Sequence, residues 1–250
     1  MDWLKLSTIR INSIYNGLFL GLCYICNTKS KTTICKHCHD NFPKNEKHCL
    51  HCKRSTHKKN ILCGRCQTSP PQYQLCIAPY RFEGIIKTLI HSIKFNQGNH
   101  YIRPLTYLLS EHLIQIYSSD SWPDQLIYVP SHPNRIKARG FCQTKAMSDH
   151  LLKNLQLKIG DQCPFKANNN PLRKLKHTQA QHSLSRKERL KNQKNSYEIN
   201  TPIAKHVVLF DDVMTTGSTI ESCTKLLLES GAERVDIWVI ARTPDKIDQS

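Results

Sequence analysis

Residues 207–219, VVLFDDVMTTGST, run from four apolar side chains into two adjacent acids and then into a turn of threonine, glycine and serine. Val207, Val208, Leu209 and Phe210 predict a buried strand; residues 220–230 carry a helical pattern that stops at Gly231, and VDIWVIA supplies the next strand. The loop of this strand, loop, helix, strand unit lies at the carboxyl end of its first strand, where open α/β sheets bind ligands. A phosphate there would meet backbone N–H groups, the positive end of the helix dipole, and the hydroxyls of Thr215, Thr216, Ser218 and Thr219. Gly217 lets the backbone approach closely. Asp211 and Asp212 accept hydrogen bonds only when ionised, so they repel that phosphate unless they face sugar hydroxyls or a magnesium ion carrying a second phosphate group. The stretch asks for a sugar held between a phosphate and a metal-bound anion.

Working outward, CIAPYRF at 76–82 reads as a strand, and GIIKTLIHSIKF after Glu83 as a helix with Ile85, Ile86, Leu89, Ile90 and Ile93 on one face. A second helix is expected over Leu105 to Tyr117, and LIYVP at 126–130 as an interior strand ended by Pro130. Strands alternating with helices predict an α/β fold over residues 75–245, a parallel sheet with helices on both faces.

The head differs. Eight of the 12 cysteines fall as four Cys-x-x-Cys pairs, Cys23/Cys26, Cys35/Cys38, Cys49/Cys52 and Cys63/Cys66. Each such turn aims two thiolates at one point, and a closed tetrahedral zinc site needs two turns, so residues 23–70 predict a double zinc-ribbon with two structural Zn2+ ions. Neighbouring pairs close most compactly, giving Cys23, Cys26, Cys35, Cys38 and Cys49, Cys52, Cys63, Cys66; spacing alone leaves first-with-third pairing open. With eight thiols available, His37, His39, His48 and His51 are expected beside the metals rather than on them. Cys76, Cys163 and Cys223 read as buried apolar residues. Whether the head contacts nucleic acid, caps the body or docks a protein is open at this point.

Before the head, Trp3, Leu4, Leu6, Ile9, Ile14, Leu18 and Leu22 approximate a helical stripe over residues 1–22, suited to packing against the body or, less well, to a membrane surface. No membrane span is expected, and no run of signal-peptide length follows Met1, so the sequence reads as cytoplasmic and mature as written.

The formal net charge is +17, unevenly placed. Residues 1–75 hold 12 basic and 3 acidic side chains, residues 130–195 hold 15 and 3, and residues 196–250 hold 5 and 9. The excess therefore sits on the head and one central segment, which points to a polyanionic or phosphorylated partner. Arg135, Lys137 and Arg139, on a basic loop after the 126–130 strand, suit clamping of a pyrophosphate, whose oxygens the two guanidinium groups match as forks. The stretch around 166–196, rich in Lys, Arg, Gln and Asn, reads as a mobile basic loop able to close over ligand or follow a nucleic-acid backbone; it has no interleaved aromatics for base stacking.

Four apolar residues, two acids and a Thr/Ser/Gly loop resemble the phosphoribosyl-pyrophosphate signature of type I phosphoribosyltransferases. That resemblance implies ribose hydroxyls on Asp211 and Asp212, the 5′-phosphate on Thr215, Thr216, Gly217, Ser218 and Thr219, and Mg2+ accompanying the pyrophosphate. The chain further resembles the ComF family of competence-associated proteins. One family pattern is met at Val129, Pro130, Arg135, Arg139, Gly140, Phe141 and Gln143, and another at Thr178, Gln181, Leu184, Ser185, Glu188, Arg189 and Asn192. Cys142 stands where the family usually has Asn. The resemblance spans Cys23 to Arg242 and places Thr178, Gln181 and Arg189 on the mobile loop.

It implies a cytoplasmic competence protein that supports natural transformation by handling incoming single-stranded DNA, alongside other DNA-import proteins. Two other readings stand beside it: an active phosphoribosyltransferase of nucleotide salvage, with Asp211 and Asp212 as catalytic carboxylates, and a zinc-ribbon interaction protein whose sugar-phosphate site senses ligand.

Overall fold

The computed structural model describes residues 21–59, 61–95, 98–117, 122–165, 169–175 and 196–244. The N-terminal stripe up to residue 20, and Thr178, Gln181 and Arg189, lie outside them. Two compact units meet in sequence between Phe42 and Pro43.

In the first unit, strands β1 (Gly21–Leu22) and β2 (Lys29–Ser30) pair antiparallel, and helix α1 (Lys36–Asp40) follows. The second unit opens with another cysteine turn and helix α2 (Gly64–Thr68). Asn27 and Lys53 each follow the second cysteine of a Cys-x-x-Cys turn and are the two non-glycine residues with positive φ among those described, at 57° and 55°. The same backbone reversal thus recurs in both units.

The body is an α/β layer structure. Strands β3 (Leu75–Ile77) and β4 (Tyr80–Arg81) lead into helix α3 (Gly84–Phe95), then helix α4 (Ile102–Ile116) and strand β5 (Gln125–Tyr128). Helices α5 (Pro133–Arg139) and α6 (Gln143–Ile159) come next, then a hairpin of β6 (Leu172–Lys174) and β7 (Tyr197–Ile199). Strand β8 (His206–Met214), helix α7 (Ser218–Glu229) and strand β9 (Arg234–Arg242) complete the described chain. The sheet order is β3-β9-β8-β5, with β4 also on β9, and every pairing in it is parallel.

Nine-residue β8 and β9 are almost wholly buried, as central parallel strands covered on both faces must be. Alternation sends Val207 and Leu209 into a core with Ile220, Cys223 and Leu227 of α7. Val208 and Phe210, equally buried, belong to the opposite face, where α4 packs on α6 and both contact the sheet. Cys76 and Cys223 are buried in the α7-side core, as their apolar reading requires, whereas Cys163 is only half-buried.

At the N-terminal end of the central strands, the fully buried Asp236 accepts from Tyr117 Oη at 2.9 Å and from Arg234 Nε and Nη2 at 3.0 Å each, and meets His206 Nε2 at 3.0 Å. A carboxylate this deep persists only when so surrounded. That end is stapled, and the opposite end carries the loops.

Candidate functional site

β8 does not stop at Phe210. It continues through Asp211 and Asp212 to Met214, so the acids sit on the last turnings of a central strand rather than in the loop beyond it. The register on β9 skips Asp212, pairing Asp211 with Val239 and Val213 with Ala241. The Asp212 amide donates to Asp211 Oδ1 at 2.8 Å, and the Val213 amide to Asp212 Oδ1 at 2.9 Å. Both carboxylates are thereby held at the carboxyl edge of the sheet.

Asp212 is 7% exposed and has two further partners. Lys94 Nζ, near the end of α3, lies 2.5 Å from its Oδ2, and Gln143 Nε2, first residue of α6, donates to the same oxygen at 2.9 Å. Among the described residues no cation pairs directly with Asp211; burial, and then the neighbouring Asp212, hold its carboxyl well above the usual range against the opposing pull of Lys94. An adjacent acid pair with one member matched by lysine and the other reluctant to ionise suits hydroxyl groups or a divalent cation at Asp211.

Past Met214 the chain turns at Gly217, φ 89°, into α7. A β-carbon there would meet nothing closer than 3.7 Å, so the left-handed backbone, not space, calls for glycine. The Gly217 N-cap of α7 has no side chain, and the Ser218 amide donates to Thr216 Oγ1 at 3.4 Å; Thr215, Thr216 and Ser218 are exposed, with Thr216 Oγ1 3.1 Å from Ser218 Oγ. The start of a twelve-residue helix, with its dipole and a row of hydroxyls beside the acids, has the chemistry of an anion cradle.

Arg135, Lys137 and Arg139 lie on α5, a short helix rather than an open loop, because Pro133 presets its first turn and His132 Nδ1 accepts from the Asn134 amide at 3.2 Å. Gly140, φ 83°, ends it. Arg135 and Lys137 are exposed; Arg139 turns inward and donates to Gln143 Oε1 at 3.3 Å. Cys142 occupies the N-cap of α6, a position that Asn fills well by capping and where Cys makes no cap bond. The departure from the family pattern is therefore at a helix start.

The segment around 166–196 contributes more than a loop. Its described flanks form the β6–β7 hairpin, and Lys174 on it is half-buried, donates to Tyr197 Oη at 3.2 Å and feels both Arg135 and Asp211. Burial, then Arg135, push the Lys174 ammonium below its ordinary value. Lys94 and Lys174 escape sequence reading: one sits at the end of an apolar helix pattern, the other in a polar run, and only the fold turns them toward the acids.

The cysteines assemble as neighbouring pairs. The sulfurs of Cys23, Cys26, Cys35 and Cys38 all lie within 4.8 Å of one another, as do those of Cys49, Cys52, Cys63 and Cys66. Cys26 and Cys35 Sγ are 3.7 Å apart, and so are Cys52 and Cys63 Sγ. A zinc tetrathiolate with Zn–S bonds of about 2.3 Å has sulfur–sulfur edges of about 3.8 Å, so both tetrads are of the size that this ion requires. In the first, Thr28 pulls the Cys26 thiol down to about 6, while burial pushes Cys38 up. Crowded thiols cannot all ionise alone, and a dication removes the conflict. The four nearby histidines stay outside both tetrads; His48 meets the Asn45 carbonyl, and His51 the Tyr73 carbonyl at 3.1 Å.

The second tetrad is clasped to the anion cradle. Arg65 of α2 donates through Nη1 to the Thr216 carbonyl at 3.0 Å and through Nη2 to both oxygens of Glu221 at 2.7 Å. Arg242, 2% exposed, donates through Nε to the Cys52 carbonyl at 3.2 Å and through Nη1 to the Met214 carbonyl at 2.7 Å. A cavity of about 10 Å³ lies between Cys52, Cys66 and the 214–217 loop.

Comparison with known proteins matches residues 137–250 to the phosphoribosyl transferase domain. The chain is 30% identical over 229 residues to the DNA utilization protein YhgH of Salmonella typhi, covering 89% of this chain and 97% of that protein. It is 28% identical over 228 residues to the protein of the same name in Escherichia coli strain K12, covering 89% and 91%. It is 28% identical over 234 residues to competence protein F of Haemophilus influenzae, covering 89% and 90%.

Proposed function

We propose, since this chain belongs to the ComF family, that it handles single-stranded DNA in the cytoplasm during DNA uptake or use, and that its phosphoribosyltransferase domain binds phosphoribosyl pyrophosphate or a related sugar phosphate with Mg2+. The names carried by its relatives support the DNA part, and the +17 charge supports a polyanionic partner. Among the described residues no helix is long and apolar enough to cross a membrane. Zinc ligands that must stay reduced suit the cytoplasm.

One observation carries the ligand reading: two carboxylates at the carboxyl end of a central strand run directly into the hydroxyl-lined start of α7. Asp211 and Asp212 take the ribose hydroxyls, Thr215 to Thr219 the 5′-phosphate, and Arg135 with Lys94 and Lys174 the pyrophosphate. Mg2+, when bound, neutralises pyrophosphate charge. Thermal shift with phosphoribosyl pyrophosphate, with and without Mg2+, tests this: stabilisation is expected in the wild type and absent in the Asp211→Ala, Asp212→Ala double variant. An equal shift in both proteins overturns the assignment.

The raised pKa of Asp211 favours a second, catalytic reading, in which its ionised carboxylate, a stronger base than an ordinary one, accepts a proton from a nitrogen nucleophile attacking the ribose anomeric carbon as pyrophosphate departs. Pyrophosphate release from phosphoribosyl pyrophosphate across a panel of bases decides it; stabilisation without release with any acceptor leaves the site a binding and sensing one.

A further inference from the structure

Phe95 closes α3 at 71% exposure, while Ile86, Leu89, Ile90 and Ile93 of the same helix are buried at 4% or less. A solitary exposed phenylalanine is ordinary. This one has company. Its ring centroid is 5.8 Å from that of His91, one helical turn earlier, and His91 is 5.8 Å from Phe82. Exposed Lys87 precedes His91 by another turn, so Lys87, His91 and Phe95 share one outward stripe.

Phe95 also meets a cation linked to the acid pair. Arg139 Cζ lies 5.6 Å from the ring centroid. The same guanidinium donates to Gln143 Oε1, and the Gln143 amide donates to Asp212. Lys94, adjacent to Phe95 in sequence, pairs with that same carboxylate. The exposed ring thus stands at the rim of the carboxylate pair, tied to it by two routes, and two more rings lead away across the surface of α3.

We infer that Phe95, with His91 and Phe82 behind it and Arg139 beside it, is a stacking platform for the bases of single-stranded DNA at the mouth of the sugar-phosphate site. The inference rests on the DNA reading above and gives it a location. Flat aromatic faces accept any base, which sequence-tolerant handling of a strand requires, and cations beside them track the backbone. Arg139 beside the ring, exposed Arg135 and Lys137 on the same helix α5, and exposed Lys87 on α3 supply that charge. The polar segment around 166–196 offered no aromatics for this task; the fold supplies them from α3 and the residues just before it. Arginine next to the ring contributes a cation–π contact to the base as well as a phosphate partner.

Fluorescence anisotropy with a labelled oligothymidine strand, at low salt, tests the platform. Phe95→Ala is expected to weaken binding about five- to hundredfold, the loss caused by removing one base–aromatic stack, while Phe95→Trp keeps wild-type affinity. A strand of the same length and charge made of abasic units is expected to bind the wild type no better than oligothymidine binds Phe95→Ala. Because Phe95 is exposed, an unchanged melting temperature verifies that the variant is folded. Wild-type affinity in Phe95→Ala, or equal affinity of the wild type for abasic and thymidine strands, overturns the platform and leaves DNA contact elsewhere intact. A wild type that binds neither strand overturns the DNA reading itself.

Discussion

The two cysteine tetrads share a motif and differ in what surrounds them. Cys23, Cys26, Cys35 and Cys38 close within the first compact unit, with Cys26 exposed. Cys49, Cys52, Cys63 and Cys66 belong to the larger unit, three of them buried, and both arginines at their border grip the 214–217 turn. One site orders its own segment. The other is also a wall of the proposed phosphate cradle. The same ligand chemistry therefore takes on a second task when its backbone carbonyls and neighbouring cations face a loop that needs shape.

The sharpest way to break this contrast is to remove one ligand from each tetrad. Cys63→Ser is expected to lower the melting temperature by ~10 °C or more and to erase stabilisation by phosphoribosyl pyrophosphate, since structural zinc contributes several kcal/mol to folding and ~1 kcal/mol moves a chain of this size by ~2–4 °C. Cys26→Ser should lose one zinc by metal analysis and keep the ligand-induced shift. If the two variants respond alike, the clasp does not couple metal to loop.

Arg242→Met comes next. It leaves the Cys52 carbonyl without its buried donor and the Met214 carbonyl with the Thr243 amide alone, so denaturant unfolding should show a loss of ~1–3 kcal/mol. Arg65→Ala should do less to stability, because its side chain is 44% exposed and its pair with Glu221 is screened. Its effect belongs to the ligand: freed from Thr216, the turn should bind phosphoribosyl pyrophosphate roughly two- to tenfold more weakly by calorimetry, as expected for loss of ~0.5–1.4 kcal/mol of positioning. Arg65→Lys should recover only part of that, since an ammonium cannot make the forked contact.

The smallest effect separates the carboxylates from the clasp. The folded Asp211 carboxyl holds its proton to higher pH than the unfolded one, so the stability this contributes is complete below the ordinary carboxylate range and is lost as pH rises through the folded value. Asp211→Asn cannot ionise and escapes that loss. Its melting temperature should exceed the wild type's by a few degrees at pH 8, and the gap should close near pH 4; a gap that persists at pH 4 would trace to packing instead.

Sequence reading reaches the carboxylates and the Thr215–Thr219 turn because both lie within a dozen covalently joined residues, where strand and helix periodicity are local. It places the α5 arginines on an open loop, and Pro133 with the His132 cap winds them into a helix. Lys94 reads as the polar edge of an apolar helix, Gln143 as one position in a family pattern, and Arg65 and Arg242 as unassigned charges. Their partners lie far along the chain: Asp212 is 69 residues from Gln143 and 118 from Lys94, Thr216 is 151 from Arg65, and Cys52 is 190 from Arg242.

By itself the sequence determined the α/β alternation, the acid pair, the hydroxyl turn and eight thiols spaced for two metals, all consequences of bond geometry over short spans. Only the tertiary structure decided which cysteine pairs close together, that Asp212 rather than Asp211 receives Lys94 and Gln143, and that one ribbon braces the turn while an aromatic row ends at its rim. Parallel strands force their connections to cross over, and such crossovers bring the end of α3, the start of α6 and the carboxyl edge of β8 to one place. No local pattern encodes that meeting; packing of helices on both faces of the sheet does.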